Sequence, residues 1–293
     1  MKTSGDKLAL AGELAQLVGL RHKSFILTLA PGAELQTHRG VVRHDDLIGK
    51  QWGSQVFSHL GAAFFLLQPS LADLLLTLPR TTQILYPKDI GFILVTMDVA
   101  PGQKLIEAGT GSGSMAIALA HFVGPTGKLV SYEQRADMQN LARKNLERVG
   151  LDNRVDLKLR DIAEGFDETD ADGLFLDVPN PYDYLAQARA ALKGGRILCT
   201  IVPTVNQVEK VLIALRQSNF AFVEVCETML RYYKAEPSRL RPADRMVAHT
   251  AFLIFGRRVE GHPDARSREL LEEQGIDAGS ARTVTPTSSD TAQ

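Results

Sequence analysis

The sequence predicts an α/β protein built on a mostly parallel sheet, preceded by a small β-rich domain. Three observations carry this. Between residues 103 and 258, short apolar runs alternate with amphipathic segments of helical period. The runs are rich in Val, Ile and Leu and are bounded by Gly or charged residues, the pattern of strands buried on both faces. Residues 1 to about 65 differ: their short β-type runs are broken by Gly and polar turns, without a strong helical period.

Each element follows from its own residues. Residues 1–68 read as the small β domain. "SLADLLLTLP" reads as a helix with Ser70 as N-cap and Pro79 as its stop, leading into a second domain that runs over 69–258. In that domain "KLIEA", "KLVSYE", "VDLKLR", "GLFLDV" and "GGRILCTIV" read as strands, and helices are predicted over 113–122, 135–149, 183–193 and 205–218. Such alternation places helices on both faces of a parallel sheet. Two more runs, 221–230 and 247–257, have no clear helix between them. They predict an antiparallel strand at the edge of a seven-stranded sheet, with 231–246 as a basic loop. From residue 259 to 293 the chain is acidic and then rich in Ser and Thr, with little to bury. The expectation there is disorder after a short helix at Ser267 to Gln274.

Composition sets the outer limits. A chain of 293 residues with 44% apolar content can bury a large core. Its formal charge of −1 excludes a generally basic nucleic-acid binder, but the charge is unevenly spread. Residues 227–258 hold seven basic side chains against three acidic ones, whereas 259–293 hold three against seven. A local basic patch on a near-neutral body is compatible with RNA binding. Cys199 and Cys226 lie in strand-like runs and read as buried thiols of a reduced protein. No signal pattern and no apolar run of about 18 residues is present, so a cytoplasmic protein is expected and no membrane partner. The seven histidines and two cysteines show no ligand spacing, so no metal is expected.

The chemistry begins at "LIEAGTGSGS", residues 105–114, where a glycine-rich turn follows a strand. A nucleoside triphosphate, a dinucleotide or S-adenosylmethionine could each sit on such a turn. The Gly-Lys pair of a triphosphate loop is missing, and the sixth position of the dinucleotide pattern is Ser114, so spacing modestly disfavours both. Glu107 adds weight to the third ligand, because a carboxylate suits the ammonium of its methionine part and would repel a pyrophosphate. Glu133 ends the next strand, where a carboxylate accepts ribose hydroxyls. Asp161 ends the third, within reach of an adenine amino group. Asp177 opens "DVPNPY" after the fourth, and its two prolines stiffen the loop that would hold the carboxylate beside the sulfonium. Ligands of such sheets sit at the carboxyl ends of strands, so the four tips describe one site.

With these motifs stated, the chain is similar to the tRNA (adenine-58-N1)-methyltransferases. "YPKD" (Tyr86–Asp89), "EAGTGSG", "SYEQRA", the Asp-Val-Pro-x-Pro-aromatic loop and "RMVAHTAFLIFGRR" occur in that family in this order and at comparable intervals, over roughly residues 20–258. The resemblance implies a class I S-adenosylmethionine-dependent methyltransferase domain of Rossmann-like fold, a small N-terminal β domain and a homotetramer. It assigns Asp177 as the catalytic acidic residue with Tyr86 beside it. It assigns Gln83, Glu107, Gly109, Gly111, Ser112, Gly113, Ser114, Glu133, Met138, Asp161, Ile162 and Asp177 to the cofactor. The implied reaction methylates N1 of adenine 58 in tRNA, with position 57 left open; a methyltransferase acting on a protein isoaspartate or a small molecule is the alternative. Since N1 lies on the Watson–Crick edge, the base must be extruded first. Tyr86 or Tyr182 would stack on it, and Arg80, Lys88, Arg241, Arg245 and His249 would face the RNA. The acidic tail falls outside the resemblance, and Asn180 and Tyr182 stand where members of the family vary.

Overall fold

The computed structural model describes residues 7–19, 23–80, 85–244 and 246–261. Gln83, Arg245 and the expected short helix and disorder of the acidic tail lie outside the described residues.

The β-rich N-terminal region consists of β1 (Leu14–Gly19), β2 (Ser24–Thr28), β3 (Glu34–Thr37), β4 (Gly40–Arg43), β5 (Gln55–Phe57) and β6 (Ala63–Leu67). Four of these form an antiparallel sheet in the order β2-β1-β6-β5, and β3 and β4 pair as a separate hairpin. Period-2 patterning turns alternate side chains inward, and Ala15, Leu17, Val42, Phe64 and Leu66 share one core. Helix α1 (Leu71–Leu76) then starts where Ser70 accepts from the Asp73 amide while Asp73 accepts from the Ser70 amide, a reciprocal cap worth about 1 kcal/mol. Helix α2 (Pro87–Thr96) opens with proline at its first position, where no amide donor is needed.

The large sheet contains β7 (Lys104–Ala108), β8 (Lys128–Glu133), β9 (Val155–Leu159), β10 (Ala171–Leu176), β11 (Leu192–Val202), β12 (Phe220–Cys226) and, after a short hairpin of β13 (Tyr233–Lys234) with β14 (Arg241–Pro242), β15 (Phe252–Arg258). Its order is β12-β15-β11-β10-β7-β8-β9. Pairings from β9 through β11 are parallel, and β15 runs antiparallel to both of its neighbours. The antiparallel strand therefore lies just inside the edge, with β12 outside it. Helices α3 (Ser114–Phe122), α4 (Ala136–Val149), α5 (Leu185–Ala191) and α6 (Val205–Gln217) connect the strands. Alternate strand residues feed two cores, one per face: Leu105, Leu129 and Phe175 on one, Ile106, Val130 and Leu174 on the other. Each such fully buried side chain contributes about 1.5–3 kcal/mol.

Three boundaries differ from the sequence reading. The helix expected over 183–193 begins later and yields at Leu192, whose extended backbone already belongs to β11. The runs 221–230 and 247–257 are shorter as strands, because pairing stops at Cys226 and resumes at Phe252. Met229, Leu230, Met246 and Val247 are exposed instead of paired. Both cysteines are free, Cys199 buried and Cys226 half-buried. β15 separates their strands by two spacings, about 10 Å, beyond the reach of a disulfide. Among the described residues no helix is long and apolar enough to cross a membrane.

Candidate active site

The chain steps outward from β7 to β8 to β9 and then returns to place β10 on the other side of β7. A crevice opens at such a reversal, beyond the carboxyl ends of the strands. Here it is a cavity of about 380 Å³.

The turn from β7 into α3 forms its floor. Gly109 has φ +90°, and a Cβ on it would stand 1.9 Å from the carbonyl oxygen of Asp177, so only glycine lets the two loops touch. The Gly109 amide donates to the Tyr132 carbonyl (2.9 Å), and the Asp177 amide donates to the Ala108 carbonyl (2.8 Å). The Gly111 amide donates to one oxygen of Glu133 at 3.0 Å while the Arg135 amide donates to the other at 3.0 Å. That carboxylate is thereby aimed before any ligand arrives. Gly113 serves another purpose: it caps α3 at φ +85°, and a Cβ there would press within 3.3 Å of Ala142 on α4.

Three carboxyl groups face one another electrostatically. Glu107 is fully buried; one oxygen accepts from the Ser131 hydroxyl, itself 2.7 Å from Thr110 Oγ1, and the other, Oε1, has no hydrogen-bond partner. Burial chiefly, with the charges of Asp177 and Glu133 and against the Ser131 bond, pushes its pKa up to about 8. Asp177 is pushed up to about 6, first by the protein mass around it and then by Glu133. Its side chain is open to the cavity, so water there moderates the burial effect. A buried carboxyl oxygen without a donor, beside two further acids, suits a cationic ligand group. The ammonium and sulfonium of such a ligand fit this set of acceptors.

Most of the residues expected at the cofactor converge here. Glu107, Gly109, Gly111, Ser112, Ser114, Glu133, Met138, Asp161, Ile162 and Asp177 line the cavity. Asp161 also accepts from the Ala163 amide at 2.9 Å, which fixes its rotamer at the head of a short 3₁₀ turn. Gly113 does not line the cavity; it packs behind it. Tyr86 caps α2 half-buried and is not a wall residue, whereas Leu85 before it is. Tyr182 turns away, its ring beneath the Lys210 ammonium at 5.1 Å, and Tyr184 takes the wall position. The 3₁₀ turn Pro181–Asp183 sets that choice, and only an aromatic-rich loop hinted at it.

The residues expected to face RNA divide. Arg80 and Arg241 are exposed. Lys88 is a correction: its side chain is 7% exposed and its ammonium is bound to Asp89, Thr228 and Thr250, so it faces the interior. His249 is partly exposed, between Glu227 (2.7 Å) and the Pro203 carbonyl (3.1 Å), and those two acceptors raise its pKa. Sequence reasoning missed Asn145. This buried side chain on α4 donates to the carbonyls of Ser112 (2.8 Å) and Pro79 (3.0 Å) and so ties the glycine turn to the segment before α2. Among the described residues no cluster of His, Cys, Asp and Glu is placed to hold a metal.

A doubly wound sheet with one antiparallel strand, a glycine turn under a cavity and acids at successive strand tips define the class I S-adenosylmethionine-dependent methyltransferase fold. Comparison with known proteins narrows this. Residues 63–251 match the family model described as tRNA methyltransferase complex GCD14 subunit, and residues 10–56 match one described as TrmI-like N-terminal. The chain belongs to this tRNA methyltransferase family. It is 34% identical to the tRNA (adenine(57)-N(1)/adenine(58)-N(1))-methyltransferase TrmI of Methanocaldococcus jannaschii, across 80% of this chain and 90% of the relative. Among solved structures it resembles the tRNA (m1A58) methyltransferase TrmI of Aquifex aeolicus, with TM-score 0.75 and 31% identity over 87% of this chain and 100% of the other. It also resembles a SAM-dependent O-methyltransferase of Thermotoga maritima, with TM-score 0.82 and 42% identity over 86% and 95%.

Proposed function

We propose that this protein methylates N1 of adenine in the T-arm of tRNA, at position 58, in the cytoplasm. One observation carries the reading most: Asp177 offers an acceptor into the cavity from a loop that proline stiffens and Gly109 abuts, beside the unpartnered oxygen of Glu107. Membership of the tRNA methyltransferase family supports the substrate.

S-adenosylmethionine supplies an electrophilic methyl group on a sulfonium. Glu107 would hold the ammonium of its methionine part, Glu133 the ribose hydroxyls and Asp161 the adenine amino group, with Met138 and Ile162 as apolar walls. Asp177 would accept a hydrogen bond from the exocyclic amine of the target base. That bond orients the ring and strengthens as the base becomes cationic, so it favours the transition state over the ground state. Adenine N1 carries its own lone pair, so no group need remove a proton first and positioning does most of the work. Tyr184, on the wall near Asp177, is the aromatic side chain best placed to meet a flipped base. The domain limits that suit this reading are 1–68 for a β domain, 69–258 for the methyltransferase domain and 259–293 for the acidic tail. A homotetramer accords with the exposed apolar side chains Phe92 and Val95 on α2.

The description of the Thermotoga relative favours a second reading, transfer to oxygen. A hydroxyl acceptor would need a base, and Asp177 is the carboxylate open to the cavity on the loop where such a base would act. Incubation with unmodified tRNA followed by nucleoside mass spectrometry separates the two. The expected product is 1-methyladenosine, lost almost completely in Asp177→Ala while S-adenosylhomocysteine affinity changes by less than about fivefold. A 2′-O-methylated nucleoside, or full activity in Asp177→Ala, would refute the assignment.

A further inference from the structure

The "YPKD" segment places its charged pair outside the cavity, in the interior. Asp89 is fully buried and Lys88 nearly so. The Lys88 ammonium donates to Asp89 Oδ1 (2.8 Å), to the Thr228 carbonyl (2.9 Å) and to Thr250 Oγ1 (2.9 Å). The Thr228 hydroxyl donates to Asp89 Oδ1, and the Thr250 hydroxyl donates to Asp89 Oδ2 at 2.9 Å. All three ammonium hydrogens and both carboxylate oxygens are used, so the network is closed.

Its partners are not scattered. Thr228 follows the end of β12 and Thr250 precedes the start of β15, so the pair grips both ends of one segment, 229–249. One residue back on each side, His249 and Glu227 repeat the link, and the second ring nitrogen of His249 meets the Pro203 carbonyl at the end of β11. The gripped segment carries the exposed Arg231, Arg239 and Arg241 with Tyr232 and Tyr233. Basic side chains interleaved with aromatic ones suit a nucleic-acid strand, whose phosphates and base faces they meet. On the other side, Lys88 and Asp89 stand in the first turn of α2, which follows the wall residue Leu85. Beyond Pro203, Gln207 of α6 donates to the Pro179 carbonyl (3.0 Å) in the loop that carries Asp177. The arm is thus linked, through hydrogen bonds and short stretches of chain, to Leu85 on one side and to the loop of Asp177 on the other.

A buried ion pair contributes little net stability, because desolvating the two charges offsets their attraction. A fully satisfied polar network instead specifies one arrangement. We propose that Lys88 and Asp89 are positioning residues that clasp the 229–249 arm in fixed register with the cavity, so that tRNA bound on the arm delivers its base to Asp177. The proposal rests on the tRNA reading above.

The test removes the hydroxyl links between the clasp and the arm and leaves the ion pair and the Thr228 carbonyl bond in place. In Thr228→Val/Thr250→Val, KM for tRNA is expected to rise about tenfold or more with S-adenosylhomocysteine affinity nearly unchanged, while the melting temperature falls because Asp89 Oδ2 and one ammonium hydrogen lose their partners. Amide exchange across 229–249 should accelerate by about tenfold or more while β7 and β8 stay protected. Thr228→Ser/Thr250→Ser, which restores the hydroxyls, should return both values to those of the parent. Unchanged exchange in the valine variant overturns the clasp, and so does a loss of cofactor affinity that parallels the loss for tRNA. The exchange measurement needs no tRNA, so a parent enzyme that makes no 1-methyladenosine would sink the substrate reading and leave the clasp to be judged on exchange.

Discussion

Asp177 meets the rest of the site twice, through a carbonyl that excludes any side chain from position 109 and through a carboxylate open to the cavity. The ionised carboxylate is the stronger acceptor for the target amine, and only it offers a negative charge to the cation that forms. With its pKa raised by burial and Glu133 toward about 6, kcat/KM for tRNA should be level above pH 7 and fall as the pH drops into the acid range. A profile flat down to pH 3.8, the ordinary carboxyl value, would contradict that role. Glu107 shows the opposite consequence. Its folded pKa of about 8 exceeds the ordinary 4.5, so the folded state holds the proton more tightly than the unfolded one. The penalty is absent below about 4.5, grows as pH rises and is complete above about 8. A cationic ligand reverses this. Binding of S-adenosylhomocysteine at pH 7 should release a proton, read by calorimetry in buffers of different ionisation enthalpy. Glu107→Gln should abolish the release and raise the ligand-free melting temperature at pH 8 by about 2–5 °C. The glycines and strand-tip acids were legible because a parallel sheet gathers consecutive tips at one end. Lys88 was not, because a lone basic residue reads as surface until partners 140 and 162 positions away are seen to enclose it.

At the scale of elements, the site depends on two loops in contact, the turn after β7 and the loop after β10. Gly109→Ala sets a methyl group against the Asp177 carbonyl and adds about 1–2 kcal/mol of left-handed backbone strain. The variant is expected to fold with a lowered melting temperature and to lose S-adenosylhomocysteine binding by more than about tenfold; near-parent affinity in calorimetry would show that the loops are not in contact. Gly111→Ala, where the space is open, should keep substantially more. That the strands form one mostly parallel sheet could be reasoned from alternation alone, because each crossover helix returns the chain to the same sheet. The ends of β12 and β15 could not: Met229, Leu230, Met246 and Val247 extend the apolar pattern, yet the chain leaves the sheet to meet α2. Asn145 was hidden for a related reason. Its carbonyl partners at Ser112 and Pro79 belong to distant segments that only the packing of α4 brings together.

For the whole molecule, the proposed reading needs a folded RNA to meet both the cofactor crevice at the reversal of strand order and the basic and aromatic arm fastened beside it. The near-zero net charge conceals this, since acidic residues gather at one end and basic ones around the arm. The most direct test uses an unmodified tRNA transcript, the purified protein and S-adenosylmethionine, with reverse transcription across the T-arm. A methyl group on N1 blocks Watson–Crick pairing, so the account predicts an enzyme-dependent arrest at position 58 that disappears when adenine 58 is replaced by uracil. Full-length products from a protein that binds S-adenosylhomocysteine, or an arrest confined to another part of the tRNA, would contradict it.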